Sequence, residues 1–232
     1  MKTTHRILTI AGLSACVLTL IGTGCKKKDK DTEKPVITVT GGTSVESSLN
    51  SIYSDMGATA TDSQDGNITS KITTSGVSSV NKDSTGVYTI TYSVSDEAGN
   101  SASATRTVRV KNDAEVLLGA YNVRTTSPYP SASNTDYVDT ISISKTVNDK
   151  IWVTMFAARA GGKAYMTLPT DSTISVPTQV VSCESPPTNH TFENAAAGSA
   201  IAADSTSTVI TVNYKETKGT TSTIARSVYT KQ

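Results

Sequence analysis

From residue 35 onward, apolar side chains recur at every second position, in runs too short for helices. The stretch "GVYTITYSV" at 86–94 is the clearest: Tyr88, Ile90, Tyr92 and Val94 share one face, Thr89, Thr91 and Ser93 the other. Period two, with many Val, Ile, Thr and Tyr, is the pattern of strands packed on one side. After residue 35 no stretch carries an apolar stripe at helical spacing. The 232 residues are therefore expected to be all-β, in one large or two small domains.

The first 34 residues break this pattern. "MKTTHR" is a basic start, and "ILTIAGLSACVLTLIGTG" (7–24) is an apolar run ending in small residues. These are the n- and h-regions of a secretory signal. About 18 apolar residues can also just span a bilayer, but Gly22, Thr23 and Gly24 favour cleavage. The end of the run resembles a bacterial lipoprotein signal, in which small residues precede a cysteine that is acylated and becomes the first residue. Two cysteines compete. "LSAC", ending at Cys16, has the family's Leu three positions before the cysteine; "GTGC", ending at Cys25, has Gly22 there. Cleavage before Cys16 would leave the apolar stub "VLTLIGTG" and a short h-region. Cleavage before Cys25 sets the charged tether "KKKDKDTEK" against the lipid. The expected processing is a signal peptide at 1–24, lipid on Cys25 and a tether at 25–34. Such a protein partners the membrane through its lipid at the outer membrane, on the cell surface or the periplasmic face.

Charge and composition exclude more than they assign. The formal charge is +1, and the leader holds Lys2 and Arg6 but no acid, so the mature chain is close to neutral. No basic stripe interleaved with aromatics points to nucleic acid. With Cys25 taken by lipid, Cys183 is the one thiol left beyond the signal, so no intramolecular disulfide is expected. A catalytic cysteine needs a basic partner, and His190 is the only mature histidine. Two such residues cannot complete a zinc site. No Gly-rich phosphate loop is present. No enzyme activity and no cofactor are expected.

Residues 35–111 contain seven short runs: "PVITVT", "TSVES", "MGATATD", "ITSKITTSG", "VSSVN", "GVYTITYSVSD" and "SASATRTVRV". Seven is the strand count of an Ig-like sandwich, and "DGN" (65–67) and "EAGN" (97–100) are hairpin signals. "GATATDSQDGNITSKITTSG" with "STGVYTITYSVSDEAGNSASATRTVRV" resembles a bacterial Ig-like domain family first described in an insecticidal crystal protein. The resemblance implies an Ig-like β-sandwich serving as a spacer or adhesion module, without catalysis. Asp62, Asp65 and Asp96 sit on turns and could offer oxygens to calcium; the plainer reading is that each caps its own turn.

After the polar junction "KNDAE" (111–115), residues 113–232 hold eight further runs: "VLLGAYNVRT", "DYVDTISIS", "KIWVTMFAA", "AYMTLP", "STISVPTQVVS", "NHTFEN", "STVITVNYKE" and "STIARSVYTK". An antiparallel meander of this size is expected to close as a barrel or fold as a sandwich, since closure removes exposed edges. "LLGAYNV" and "ARSVYTK" resemble lipocalin-like (calycin-type) β domains of surface lipoproteins in glycan-foraging Gram-negative bacteria. The resemblance implies a barrel whose mouth could hold a small apolar or sugar ligand. Trp152, the single tryptophan, alternates with Val153 and is read as core, sharing a face with Thr154 and Phe156. The competing use is a stacking platform for sugar, joined by Tyr121, Tyr129 and Tyr137.

Four tripeptides, "DST" at 83–85, 171–173 and 204–206 and "DTI" at 139–141, resemble the Asp-Ser/Thr-Xaa O-glycosylation acceptor motif of the same bacterial group. The acceptors would be Ser84, Thr140, Ser172 and Ser205; the plainer reading is that Asp-Ser pairs start turns. The functional expectation is a non-enzymatic envelope or surface lipoprotein. Its Ig-like spacer would present a C-terminal domain that captures polysaccharide. The alternatives are a structural or adhesion protein that binds another envelope protein, and an enzyme with an unrecognised site.

Overall fold

The computed structural model describes residues 30–127, 133–159, 161–170, 172–183, 187–203 and 207–232. Cys16, Cys25, Tyr129 and Ser205 lie outside the described residues. Thr32–Gln232 forms one compact unit, built from strands. Among the described residues no helix is long and apolar enough to cross a membrane.

The first half is an Ig-like sandwich of seven strands: β1 (Val36–Val39), β2 (Ser44–Ser48), β3 (Ala58–Asp62), β4 (Gly66–Asn67), β5 (Thr73–Ser75), β6 (Gly86–Ser95) and β7 (Ser101–Lys111). One sheet is ordered β1-β3-β4 and the other β2-β7-β6-β5, with β2 parallel to β7. As the alternation predicted, β6 is an inner strand that buries Ile90, Tyr92 and Val94. Ile37 of β1 packs on that cluster from the facing sheet. The strands are not the seven runs read above. "VSSVN" is a 3-10 turn at Val77–Ser79, and the short β4 makes up the number. Gly76 enters that turn at φ +89°, where a Cβ would stand 2.4 Å from the Thr89 carbonyl oxygen. No β-branched strand continues through such a point.

The second half has ten strands: β8 (Gly119–Ser127), β9 (Ser133–Ile143), β10 (Lys150–Val153), β11 (Ala164–Thr170), β12 (Thr173–Ser175), β13 (Gln179–Cys183), β14 (Thr188–Asn194), β15 (Ala200–Ala203), β16 (Thr208–Lys218) and β17 (Thr221–Lys231). Eight of them close an antiparallel barrel in the order β16-β17-β8-β9-β10-β11-β12-β15. The hairpin β13–β14 continues from it, because β16 pairs with β15 through its first residues and with β14 through its last. The run "STISVPTQVVS" is broken at Pro177, which has no N–H for a ladder. There the Asn194 Oδ1 accepts the Val176 N–H at 2.7 Å instead.

The barrel axis is filled. Tyr121, Tyr214, Tyr229, Phe156, Phe192 and Met166 are all essentially inaccessible and belong to one core cluster. Among the described residues these side chains occupy the centre of the barrel, where a deep cup would lie. "KIWVTMFAA" is also shorter as a strand than expected. It ends at Val153, and a turn at Phe156–Ala158 drives Phe156 inward against Phe192 and Tyr214. Buried Asp139 holds this turn, accepting from the Thr154 N–H (2.9 Å), the Thr154 hydroxyl (2.7 Å) and the Met155 N–H (3.2 Å to its second oxygen).

The polar junction joins the halves firmly. Asn112 is fully buried. Its amide donates to the carbonyls of Ser144 (2.9 Å) and Val147 (3.0 Å) and accepts the N–H groups of Ala114 and Asp149, both at 3.0 Å. Asn50 adds a second clamp, donating to the Thr146 carbonyl and accepting the Asn148 N–H.

Candidate functional site

Strand parity builds the most ligand-like surface. In β10, Ile151 and Val153 point into the barrel opposite Met166 and Ala164 of β11, so Lys150 and Trp152 must point out. In β11 the same parity sends Tyr165 out, directly across from Trp152. The two rings lie 5.5 Å apart at 60°. The Lys150 ammonium sits 3.9 Å from the Tyr165 centroid and 4.6 Å from that of Trp152, and Lys163 approaches Trp152 to 5.0 Å. Gln179 fixes Tyr165 from behind, accepting its N–H (2.9 Å) and donating to its carbonyl (2.7 Å). Among the described residues, neither lysine has a carboxylate partner.

The reading of Trp152 as core is thus corrected: it is half-buried on the outer wall, because the strand ends before Phe156 and the two do not share a face. The platform is also not the one named from sequence. Tyr121 is wholly buried, its hydroxyl donating to the Leu117 carbonyl at 2.9 Å, so it cannot stack on a ligand. Tyr137 packs against the core with its hydroxyl 3.3 Å from that of Thr125; burial pushes that hydroxyl's pKa upward. Tyr165, Lys150 and Lys163 were missed. The alternation in "KIWV" and "AYMT" already carries the signal, since in each the aromatic falls between two inward positions.

A second concavity, a groove of about 680 Å³, crosses the outer faces of β9, β8 and β17. Asn122, Val138, Val228 and Thr230 line it. Arg124 donates to both oxygens of Asp136 across it, each at 2.8 Å. Its Arg124 and Asp136 charges are therefore already paired with each other, and half-buried Tyr137 also lines it.

Two polar clusters have structural work. Of the three predicted carboxylates, those of Asp62 and Asp96 come within 4.8 Å of each other. Asp62 Oδ1 accepts the Gln64 and Asp65 N–H groups, both Asp96 oxygens accept from Asn100, and Asp65 accepts the Glu97 N–H. Backbone donors hold the Asp62 carboxyl below the usual carboxylate range. Asp62 Oδ2 is buried without a hydrogen-bond partner; the hydrogen bonds just named are those of turn-capping carboxylates. In the barrel, buried His190 Nδ1 lies 2.5 Å from Glu216 Oε1, which also accepts from Arg159 (3.0 Å). This pairing ties β14 and the 156–158 turn to β16.

Of the glycan acceptors, Thr140 and Ser172 are exposed and Ser84 is half-buried. Asp139, the acid before Thr140, is committed to the turn it caps.

Residues 37–110 match the family model for "Bacterial surface protein, Ig-like domain". No similar sequence is found among curated proteins. The crystal structure of the lipoprotein BT2262 from Bacteroides thetaiotaomicron aligns at TM-score 0.35 and 16% identity, over 85% of this chain and 100% of that one. A Clostridium perfringens ZmpB structure, CBM51-2 in complex with GlcNAc and INT domains, aligns at TM-score 0.28 and 18% identity, over 85% of this chain and 44% of that one.

Proposed function

We propose that a chain carrying a bacterial surface Ig-like domain and a packed eight-stranded barrel serves as an envelope lipoprotein anchored at Cys25. In this reading the barrel's outer wall at Trp152 and Tyr165 binds carbohydrate. The observation that carries the binding half is the Trp152–Tyr165 pair, turned outward on the wall between Lys150 and Lys163. A tryptophan in a strand is ordinarily spent on a core; here Ile151 and Val153 fill the core and leave the ring at the surface. Sugar rings offer C–H faces that stack on such aromatics, which combine an apolar body with a polar edge. The anchoring half rests on the apolar leader, the small residues before Cys25 and the charged tether behind it.

The experiment uses Trp152 as its own probe, since the chain has one tryptophan. Titration with a panel of soluble polysaccharides is expected to change its fluorescence and to retard the protein in affinity gels. Trp152→Ala should keep the fold and lose retardation. Binding that survives the substitution would move the site elsewhere, with the Arg124–Asp136 groove next in line. Absence of binding across the panel would favour a structural or adhesion role, which the filled barrel interior supports. Mass spectrometry of the membrane-extracted protein should find diacylglyceryl on Cys25; lipid on Cys16 would overturn that assignment.

A further inference from the structure

We infer that the Trp152–Tyr165 surface selects acidic saccharides, those bearing uronate carboxylates or sulfate esters, over neutral ones. The inference rests on the proposed carbohydrate site and names its ligand class. Its basis is what already covers the rings. Lys150 lies over both aromatics and Lys163 over Trp152. A cation over an exposed ring contributes only about 0.5–1 kcal/mol, so these ammonium groups are held lightly and can swing aside on flexible stems. Among the described residues neither has a carboxylate partner, unlike Lys215, which pairs with Glu193 at 2.8 Å, or Lys111, which pairs with Glu46 at 2.6 Å. The patch is therefore two unneutralised cations around an aromatic pair.

A neutral sugar reaching the rings must displace the ammonium groups and can offer them only uncharged hydroxyl acceptors in return. An acidic sugar can lay its ring on the aromatic edge while its anionic group draws Lys150 and Lys163 off the faces into charge-assisted hydrogen bonds. Such bonds are about twice as strong as neutral ones. The lysines then act as specificity elements and the rings as the platform. Because both lysines are at the surface, the preference should weaken with ionic strength.

The test compares polygalacturonate with the same polymer fully methyl-esterified, and dextran sulfate with unsulfated dextran, binding each to the intact protein at low and high salt. The expected result is retention of the charged forms, roughly tenfold weaker for Lys150→Gln or Lys163→Gln and progressively weaker with salt. Lys34→Gln, an exposed lysine of the tether away from the barrel, controls for general loss of positive charge and should change nothing. Equal or tighter binding of the neutral forms would overturn the acidic preference and leave the carbohydrate site standing. Binding of no charged or neutral polymer would overturn both. Charged binding lost equally in Lys34→Gln would show non-specific attraction and also overturn the inference.

Discussion

Arg106 is the most consequential single residue of the Ig-like half. It is wholly buried, donates to Asp55 at 2.5 Å and to Tyr53 at 3.2 Å, and caps the carbonyls of Thr40, Gly42 and Gly57. Burial alone would raise the Asp55 carboxyl, but hydrogen bonds from Tyr92 and Tyr53 and the Arg106 charge outweigh it and hold it below the usual range. Burial, and then Asp55, push the Tyr92 hydroxyl up to about 12. Removing one partner of a buried pair leaves the other uncompensated, so Arg106→Ala should cost about 3–5 kcal/mol in denaturant unfolding. A carboxyl whose folded pKa is depressed stabilises the fold above its unfolded pKa, near 4, and loses that contribution as pH falls through the lower folded value. Stability should therefore decline with acid below about pH 4, and Asp55→Asn should flatten that slope. Trp152→Ala belongs at this scale too. Its outward placement predicts a loss of about 1 kcal/mol or less, whereas Phe156→Ala, in the core, should cost about 3–5 kcal/mol. Similar losses for both would return Trp152 to a core role.

Among the elements, turns decide where strands stop. Gly76 (φ +89°) and Gly99 (φ +92°) share the same left-handed conformation, but only Gly76 is crowded, by the Thr89 carbonyl oxygen. Gly99→Ala should lower stability by about 1 kcal/mol through backbone strain, and Gly76→Ala by clearly more, since strain and collision add. Thermal unfolding of the two variants separates these contributions; equal shifts would mean that β6 moves freely to make room. The alternation in β6 was readable in advance because hydrophobic parity is local. The exchange of "VSSVN" for β4 was not, because it depends on a contact between Gly76 and a strand further along the chain. The same holds for β10. Its first residues show inward Ile151 and Val153, while its end is set by Asp139, a residue of β9 that captures the turn.

At the scale of the whole molecule, the two domains act as one body through buried amides. Asn112 satisfies four backbone groups of the barrel junction, and burying any of these without a partner costs about 1–3 kcal/mol. Asn112→Ala should therefore split one calorimetric transition into two and open 111–115 to protease, which the parent protein should resist. A parent already cut there, with two transitions, would contradict the docked arrangement. "KNDAE" reads as a polar linker because a chain alone cannot show whether an asparagine faces water or a ring of carbonyls. What the sequence determined by itself was everything local: an all-β chain from period-two alternation, an Ig-like pattern before the polar stretch at 111–115, and an apolar leader ending at a cysteine before a charged tether. The tertiary structure alone decided three things: that the barrel is filled, that Trp152 meets Tyr165 and two lysines on its outer wall, and that the domains are locked. Each depends on residues distant in sequence competing for the same interior. Alternation divides a strand into two faces, but the volume of Tyr121, Tyr214, Tyr229, Phe156 and Phe192 settles whether any room is left between them.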